Sequence, residues 1–197
     1  SRRRRGDDAD RSRTGREAGA TRHQDGQFWL PPRHNVLSVL HCQSAPPAGG
    51  ETGFADLRAA LATLSKPLRD RAALAHIVAS VRDIADFAKG DPEDLDKFPN
   101  ASHAFIQPHA LDGGPTLYVG SPHMVVEGLP TPEAGRDLLT MVLKHATSPS
   151  FTYFHAWQPG DLIVWDNTQT LHHSMPYDSS SPDVVRELYR TQARFVG

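Results

Sequence analysis

Valine and leucine crowd the stretch from Asn35 to Cys42 without helical spacing, and Ala45-Pro46-Pro47-Ala48-Gly49-Gly50 breaks it, which predicts a core β-strand followed by a turn. Past the turn the period lengthens. Leu57, Leu61 and Leu64 fall at i, i+4 and i+7 behind Asp56, a residue suited to capping a helix start, and a second helix is expected after Pro67. Another helix is predicted at Thr131-Pro132-Glu133, where a capping threonine, a proline at the first helical position and an early acid precede Leu138, Leu139, Val142 and Leu143. Aromatic residues dominate the strand expected over Phe151 to Trp157. Gln158-Pro159-Gly160-Asp161 then reads as a turn and Leu162 to Trp165 as a buried strand, so this region predicts a β-hairpin. A polar turn after Trp165 carries the chain to His172.

The segment from Ser1 to Ala20 holds Arg2-Arg3-Arg4-Arg5 and mixed charges with almost no apolar residues, so it reads as a flexible charged N-terminal segment ahead of one domain over residues 21–197. Asp83 to Ser102 lacks a clean period, is rich in Asp, Lys, Gly and Pro, and is expected to form a loop or lid. No internal repeat interrupts this order. Many short strands with helices inserted between them predict a mainly β fold, a double-sheet jelly roll of the cupin kind, although periodicity alone does not separate it from other mixed folds.

Composition narrows the functional classes. A chain of 197 residues that is 38% hydrophobic can bury one core, and 16 prolines with 15 glycines call for many turns. A formal charge of -2 gives no reason to expect nucleic-acid binding. Nor is there an apolar run of roughly 18 residues, the length that a membrane-spanning helix needs. Cys42 is the single cysteine, which rules out an internal disulfide and suits a reducing cytoplasm. No signal-peptide pattern is visible near Ser1. A cytoplasmic protein is the simplest expectation, with a homo-oligomer compatible and its size unreadable.

The candidate chemistry lies in His23, Asp25 and His172. In an extended segment residues i and i+2 project to the same face, so His23 and Asp25 can reach one ion while Gln24 points away. Two imidazoles and one carboxylate form the set that holds non-heme Fe(II) on one face and leaves the opposite positions open. A histidine and an aspartate at this spacing also occur together by chance on many surfaces, and a zinc hydrolase uses similar donors. His173 adjoins His172, and neighbours on a strand point apart, so at most one of the two serves as a ligand.

Four blocks in order carry a resemblance: Arg22-His23-Gln24-Asp25-Gly26; Gly49-Gly50-Glu51-Thr52-Gly53-Phe54-Ala55-Asp56; Leu117-Tyr118-Val119-Gly120 with Val126-Glu127-Gly128-Leu129-Pro130; and Trp157-Gln158-Pro159-Gly160-Asp161-Leu162 through Trp165-Asp166-Asn167 and His172 to Arg186-Glu187-Leu188-Tyr189-Arg190. From Thr21 onward the chain resembles the taurine dioxygenase and 2,4-dichlorophenoxyacetate dioxygenase family of Fe(II)- and 2-oxoglutarate-dependent enzymes, and is more similar to its herbicide-degrading branch.

The resemblance implies a double-stranded β-helix with a metal at its open end. It implies His23, Asp25 and His172 as catalytic iron ligands, and Thr52 and Arg186 as the residues holding the distal carboxylate of 2-oxoglutarate. Arg190 would lie nearest the anionic group of a small organic carboxylate or sulfonate. A guanidinium suits a carboxylate because its planar fork of donors pairs in bidentate fashion. On a strand Arg186, Leu188 and Arg190 would share one face, although by themselves both arginines also read as solvated strand charges. His173 is implied to support the metal-bound imidazole or to face solvent, and His103 is a weaker candidate for substrate contact.

The implied reaction couples oxidative decarboxylation of 2-oxoglutarate by O2 to hydroxylation of a substrate C–H bond, with cleavage where the hydroxylated carbon bears an ether or sulfonate. The competing expectation is a noncatalytic relative that keeps the fold as a metal- or small-molecule-binding module. Asp25 argues against a halogenase, which replaces that carboxylate with a small residue. Thr168 stands where the family turn continues with arginine, and relatives carry a substantial portion ahead of the motif at His23.

Overall fold

The valine- and leucine-rich run forms strand β1 (Asn35–Ser44), and after the proline-glycine break the chain re-enters as β2 (Thr52–Asp56). The computed structural model describes residues 35–80, 100–109, 111–181 and 183–194. Asp56 ends β2 and caps α1 (Leu57–Thr63), its Oδ1 accepting from the Arg58 and Ala59 amides at 2.9 Å each. Helix α2 (Lys66–Leu74) begins one residue before the expected Pro67. Short strands follow as β3 (His76–Ala79), β4 (Ala101–Ala104), β5 (Ile106–Pro108), β6 (Pro115–Leu117) and β7 (Val125–Glu127). Helix α3 (Pro132–Ala146) starts where the Thr131 Oγ1 accepts from the Ala134 amide at 3.2 Å. The chain closes with β8 (Thr152–His155), β9 (Leu162–Asp166), β10 (Thr170–Ser174) and β11 (Glu187–Arg194).

Two antiparallel three-stranded sheets form the central unit, one in the order β11-β1-β9 and the other β10-β2-β8. From β8 onward each successive strand changes sheet, and this alternation is the double-stranded β-helix of a jelly roll. A third sheet, β4-β3-β7, and the β5-β6 pair lie outside it.

The β-hairpin expected over residues 151–165 does not form. β8 pairs with β2 and β9 with β1, so the Gln158–Asp161 turn passes the chain between sheets. Nor is β9 buried on both faces. Ile163 and Trp165 point inward, while Leu162 and Val164 are 64% and 52% exposed, because among the described residues β9 is an edge strand with one face against the opposite sheet. Part of the expected loop, residues 83–99, lies outside the described residues, and its end at Ala101 and Ser102 belongs to β4. The N-terminal segment and the start of the domain at residue 21 also lie outside them.

The main core sits on one side of the β10-β2-β8 sheet. Ala55 and Leu171 project from that sheet into a cluster with Leu57, Leu61, Ile77, Leu138, Leu139 and Val142, nearly all of them without exposed surface. The leucines at helical spacing thus serve packing, and the alternate residues Thr52, Phe54 and His172 are left on the inner face between the sheets. Among the described residues no helix is long and apolar enough to cross a membrane.

Removing the α3 cap and cutting into the core should be separable by size. Thr131→Ala should cost about 1 kcal/mol and Leu138→Ala about 2–5 kcal/mol. Urea unfolding measures both, and equal losses would contradict the assigned packing.

Candidate active site

Of the six residues singled out by sequence, His172, Thr52, Arg186 and Arg190 fall in the described structure, and His23 and Asp25 lie outside it. Registry between β10 and β2 sets His172 opposite Phe54 and Ser174 opposite Thr52. Thr52 and His172 are therefore diagonal neighbours on one face, with a separation of roughly 7–8 Å expected from ordinary sheet geometry.

His172 is 7% exposed. Its ring packs against Trp165, with centroids 4.9 Å apart, and lies 6.5 Å from Phe54, while Phe54 and Trp165 meet edge-on at 5.3 Å. This aromatic wall limits the orientations open to the imidazole. His173 turns to the opposite face of β10, where its ring lies 6.4 Å from Phe154, so the expectation that the two histidines diverge holds.

Thr52 is the meeting point of a second group. Its buried Oγ1 accepts from Trp157 Nε1 at 2.9 Å and from Arg186 Nη2 at 3.2 Å. Having accepted twice, the hydroxyl keeps its own hydrogen for a further acceptor. Arg186 also donates from Nε to the Gly50 carbonyl at 2.8 Å. That carbonyl is presented by a turn in which Gly50 has φ of 72°, and a Cβ there would sit 2.8 Å from Pro46 Cγ and 3.2 Å from Arg186 Cδ. Glycine is required on both counts.

Among the described residues no carboxylate pairs with Arg186. Burial holds its guanidinium below the ordinary arginine value, with Tyr177 and Cys42 acting in the other direction. Arginine stays charged under these conditions, so a partly desolvated cation lies beside a buried hydroxyl. That combination suits an anion. Burial also pushes the adjacent Cys42 thiol up.

Leu188 separates the two arginines and packs with Cys42 and Trp157, next to Leu40 and Ile163. Arg190, half-buried, stands opposite Leu40 in the β1–β11 register. His103, buried and stacked on Tyr118 with centroids 4.4 Å apart, sits in the third sheet. Between the two main sheets a cleft of about 640 Å³ is lined by Phe54, Tyr153, Ile163, Trp165 and Asp166.

Trp157 escaped notice as a functional residue in the sequence. Its block was visible, but its bond to Thr52 spans 105 positions and has no local signature.

A jelly roll in which a partly desolvated arginine and a buried hydroxyl lie on the same inner face as a buried histidine is a scaffold that known proteins share. The family described as taurine catabolism dioxygenase TauD, TfdA family matches residues 1–192, and the chain belongs to that family. It is 34% identical over 168 residues to the alpha-ketoglutarate-dependent 2,4-dichlorophenoxyacetate dioxygenase of Burkholderia sp. (strain RASC), covering 83% of this chain and 55% of that protein. The chain thus spans little more than half the length of that relative.

Among solved structures, AAD-2 in complex with Mn(II) and N-oxalylglycine aligns with a TM-score of 0.75 and 31% identity, over 88% of this chain and 68% of that one. A taurine dioxygenase from Burkholderia xenovorans aligns with a TM-score of 0.71 and 29% identity, over 88% and 56%.

Thr52→Val should leave the Trp157 and Arg186 donors without their acceptor and destabilise the chain by about 1–3 kcal/mol, while Thr52→Ser should retain most of the wild-type stability. Thermal unfolding of the pair checks this. Equal stability of the Thr52→Val and Thr52→Ser variants would show that the hydroxyl does not hold the node.

Proposed function

We propose that the protein is an Fe(II)- and 2-oxoglutarate-dependent dioxygenase that hydroxylates a small anionic organic substrate, with residues 21–197 as the dioxygenase domain. The observation that carries this reading is Arg186, a partly buried guanidinium bonded to Gly50 and Thr52 and lacking a carboxylate partner among the described residues. In this reading the far carboxylate of 2-oxoglutarate supplies the missing negative charge. It accepts from the Thr52 hydroxyl and from guanidinium donors not already committed to Gly50 and Thr52, and such charge-assisted bonds are the stronger kind.

The other end of the co-substrate reaches toward His172. Thr52 and His172 are diagonal neighbours on adjacent strands, at a spacing of roughly 7–8 Å that a five-carbon dicarboxylate can bridge.

His172 would be one metal ligand, with His23 and Asp25 completing the set. The donors fit: His172 is inward-facing, buried and held by Trp165, and two imidazoles with one carboxylate suit ferrous iron. When bound, the ion supplies oxygen activation, coupling decarboxylation of 2-oxoglutarate to succinate and carbon dioxide with hydroxylation of the substrate.

The protein's own part is placement. The aromatic wall fixes the imidazole, Thr52 and Arg186 orient the keto acid, and Arg190 attracts the anionic end of the substrate. Such positioning decides which C–H bond lies within reach. The relative named for 2,4-dichlorophenoxyacetate supports a carboxylate substrate. A cytoplasmic setting goes with this reading, since the reaction consumes 2-oxoglutarate and needs iron in its ferrous state.

Arg186→Gln should raise the Kd for 2-oxoglutarate by about 10- to 100-fold and leave that of the primary substrate nearly unchanged. Parallel titrations that lose both ligands equally would contradict the assigned role. Asp25→Ala should abolish succinate release after anaerobic Fe(II) loading and exposure to oxygen, whereas His173→Ala should leave metal binding largely intact. The opposite pattern would overturn the ligand assignment, and a wild-type chain that binds 2-oxoglutarate without releasing succinate would be a binding module.

A further inference from the structure

We infer that His109 is a positioning residue that fixes the turn delivering His172. The inference rests on the functional reading above only for what His172 does. The geometry of the turn is independent of it.

His109 follows β5, and its side chain is 5% exposed. Nε2 stands 2.7 Å from Asp166 Oδ2 and Nδ1 3.1 Å from Asp112 Oδ1. An ionised carboxylate only accepts, so in the contact with Asp166 the hydrogen lies on Nε2. A buried imidazole held end to end by two carboxylates has little rotational freedom, and each of its partners is anchored in turn.

Asp112 accepts from the Gly114 amide at 2.9 Å and from Arg58 Nη1 of α1 at 2.7 Å. These contacts hold its carboxyl well below the usual range, at about 2. It is therefore a charged, fixed acceptor at any ordinary pH. His109 is also tied by its backbone, donating to the Gly114 carbonyl at 2.7 Å and accepting from the Gly113 amide at 3.0 Å.

The other partner, Asp166, ends β9 and organises the turn into β10. Its Oδ1 accepts from the Thr168 amide at 2.7 Å and the Thr168 hydroxyl at 2.6 Å, and Gln169 Nε2 reaches its Oδ2 at 3.3 Å. Thr168 thus bonds the same carboxylate that His109 holds.

The turn is fastened on two further sides. Asn167, 1% exposed, donates to Ser38 Oγ of β1 at 2.8 Å, and the Leu57 amide of α1 donates to the Gln169 carbonyl at 3.0 Å. Those bonds fix the backbone of the turn. The bond from His109 fixes the carboxylate around which it winds, and it brings in the β5–β6 pair, which otherwise lies outside the jelly roll. His172 comes six residues after Asp166, and its ring rests on Trp165, the residue immediately before Asp166. A shift of the Asp166 carboxylate therefore reaches the imidazole from both directions along the chain.

The two ring nitrogens can be tested separately. Glutamine at 109 places its amide nitrogen near the position of Nε2 and keeps a donor for Asp166. Asparagine mimics Nδ1 and keeps only Asp112. In the metal-free full chain, His109→Asn should speed amide hydrogen exchange at Thr168 to His172 by about tenfold or more, and His109→Gln should leave it near wild type. Arg58→Ala, which loosens Asp112 but leaves the His109 donor to Asp166 in place, should have a much smaller effect than His109→Asn.

Mn(II) titration of the same proteins should show affinity falling by about tenfold or more for His109→Asn and little for His109→Gln. Equal exchange in the Asn and Gln variants would overturn the inference, and so would acceleration spread evenly over all strands. A wild-type chain that binds no Mn(II) would count against the functional reading, while the exchange pattern would still decide whether His109 holds the turn.

Discussion

A partly desolvated guanidinium sets the terms for the rest of this structure. Removing a charge from water is costly unless hydrogen bonds and an opposite charge offset it, and Arg186 has the bonds, to Gly50 and Thr52, from within the described chain. Its neighbours follow from that need. The left-handed turn at Gly50 presents a carbonyl where any side chain would obstruct the arginine, and the Trp157 indole keeps the Thr52 oxygen in place as an acceptor. An anion from solution would supply the opposite charge, and under the proposed function that anion is the far carboxylate of 2-oxoglutarate.

The second requirement is distance. Under the proposed function a co-substrate anchored at Thr52 must reach a metal held by His172, and the spacing between Thr52 and His172 is set by the β2–β10 ladder rather than by any loop. A register shift of one residue would turn every side chain on the strand to the other face. That shift is resisted by Ala55 and Leu171, whose placement in the helix-facing core obliges Phe54 and His172 to face inward. Core packing on one side of the sheet thereby fixes chemistry on the other.

Polar contacts refine what the ladder sets. Asp166 draws together its own turn, and His109 joins that turn to a hairpin outside the jelly roll. The scaffold therefore holds the candidate ligand by backbone pairing, aromatic packing and a carboxylate clamp, each acting at a different point along one short stretch of chain.

Much of this was legible along the chain because it is local. The cap at Asp56, the proline at the start of α3, the strand before Ala45 and the ordered blocks around Thr52, His172 and Arg186 all follow from neighbouring residues and their backbone preferences. The divergence of His172 from His173 needed only the two-residue period of a strand. What could not be read there depends on partners far away in sequence. Turn chemistry at Gln158–Asp161 permits a hairpin as readily as a crossing between sheets, and only the long-range pairing of β8 with β2 and β9 with β1 decides between them. The bond from Trp157 to Thr52 and the position of His109 between two carboxylates likewise exist only after the sheets close, since each joins side chains that local sequence leaves unrelated. Residue types and local geometry were thus settled by the chain itself, while their meeting points were decided by tertiary packing, because contact between distant residues depends on the closure of the whole fold.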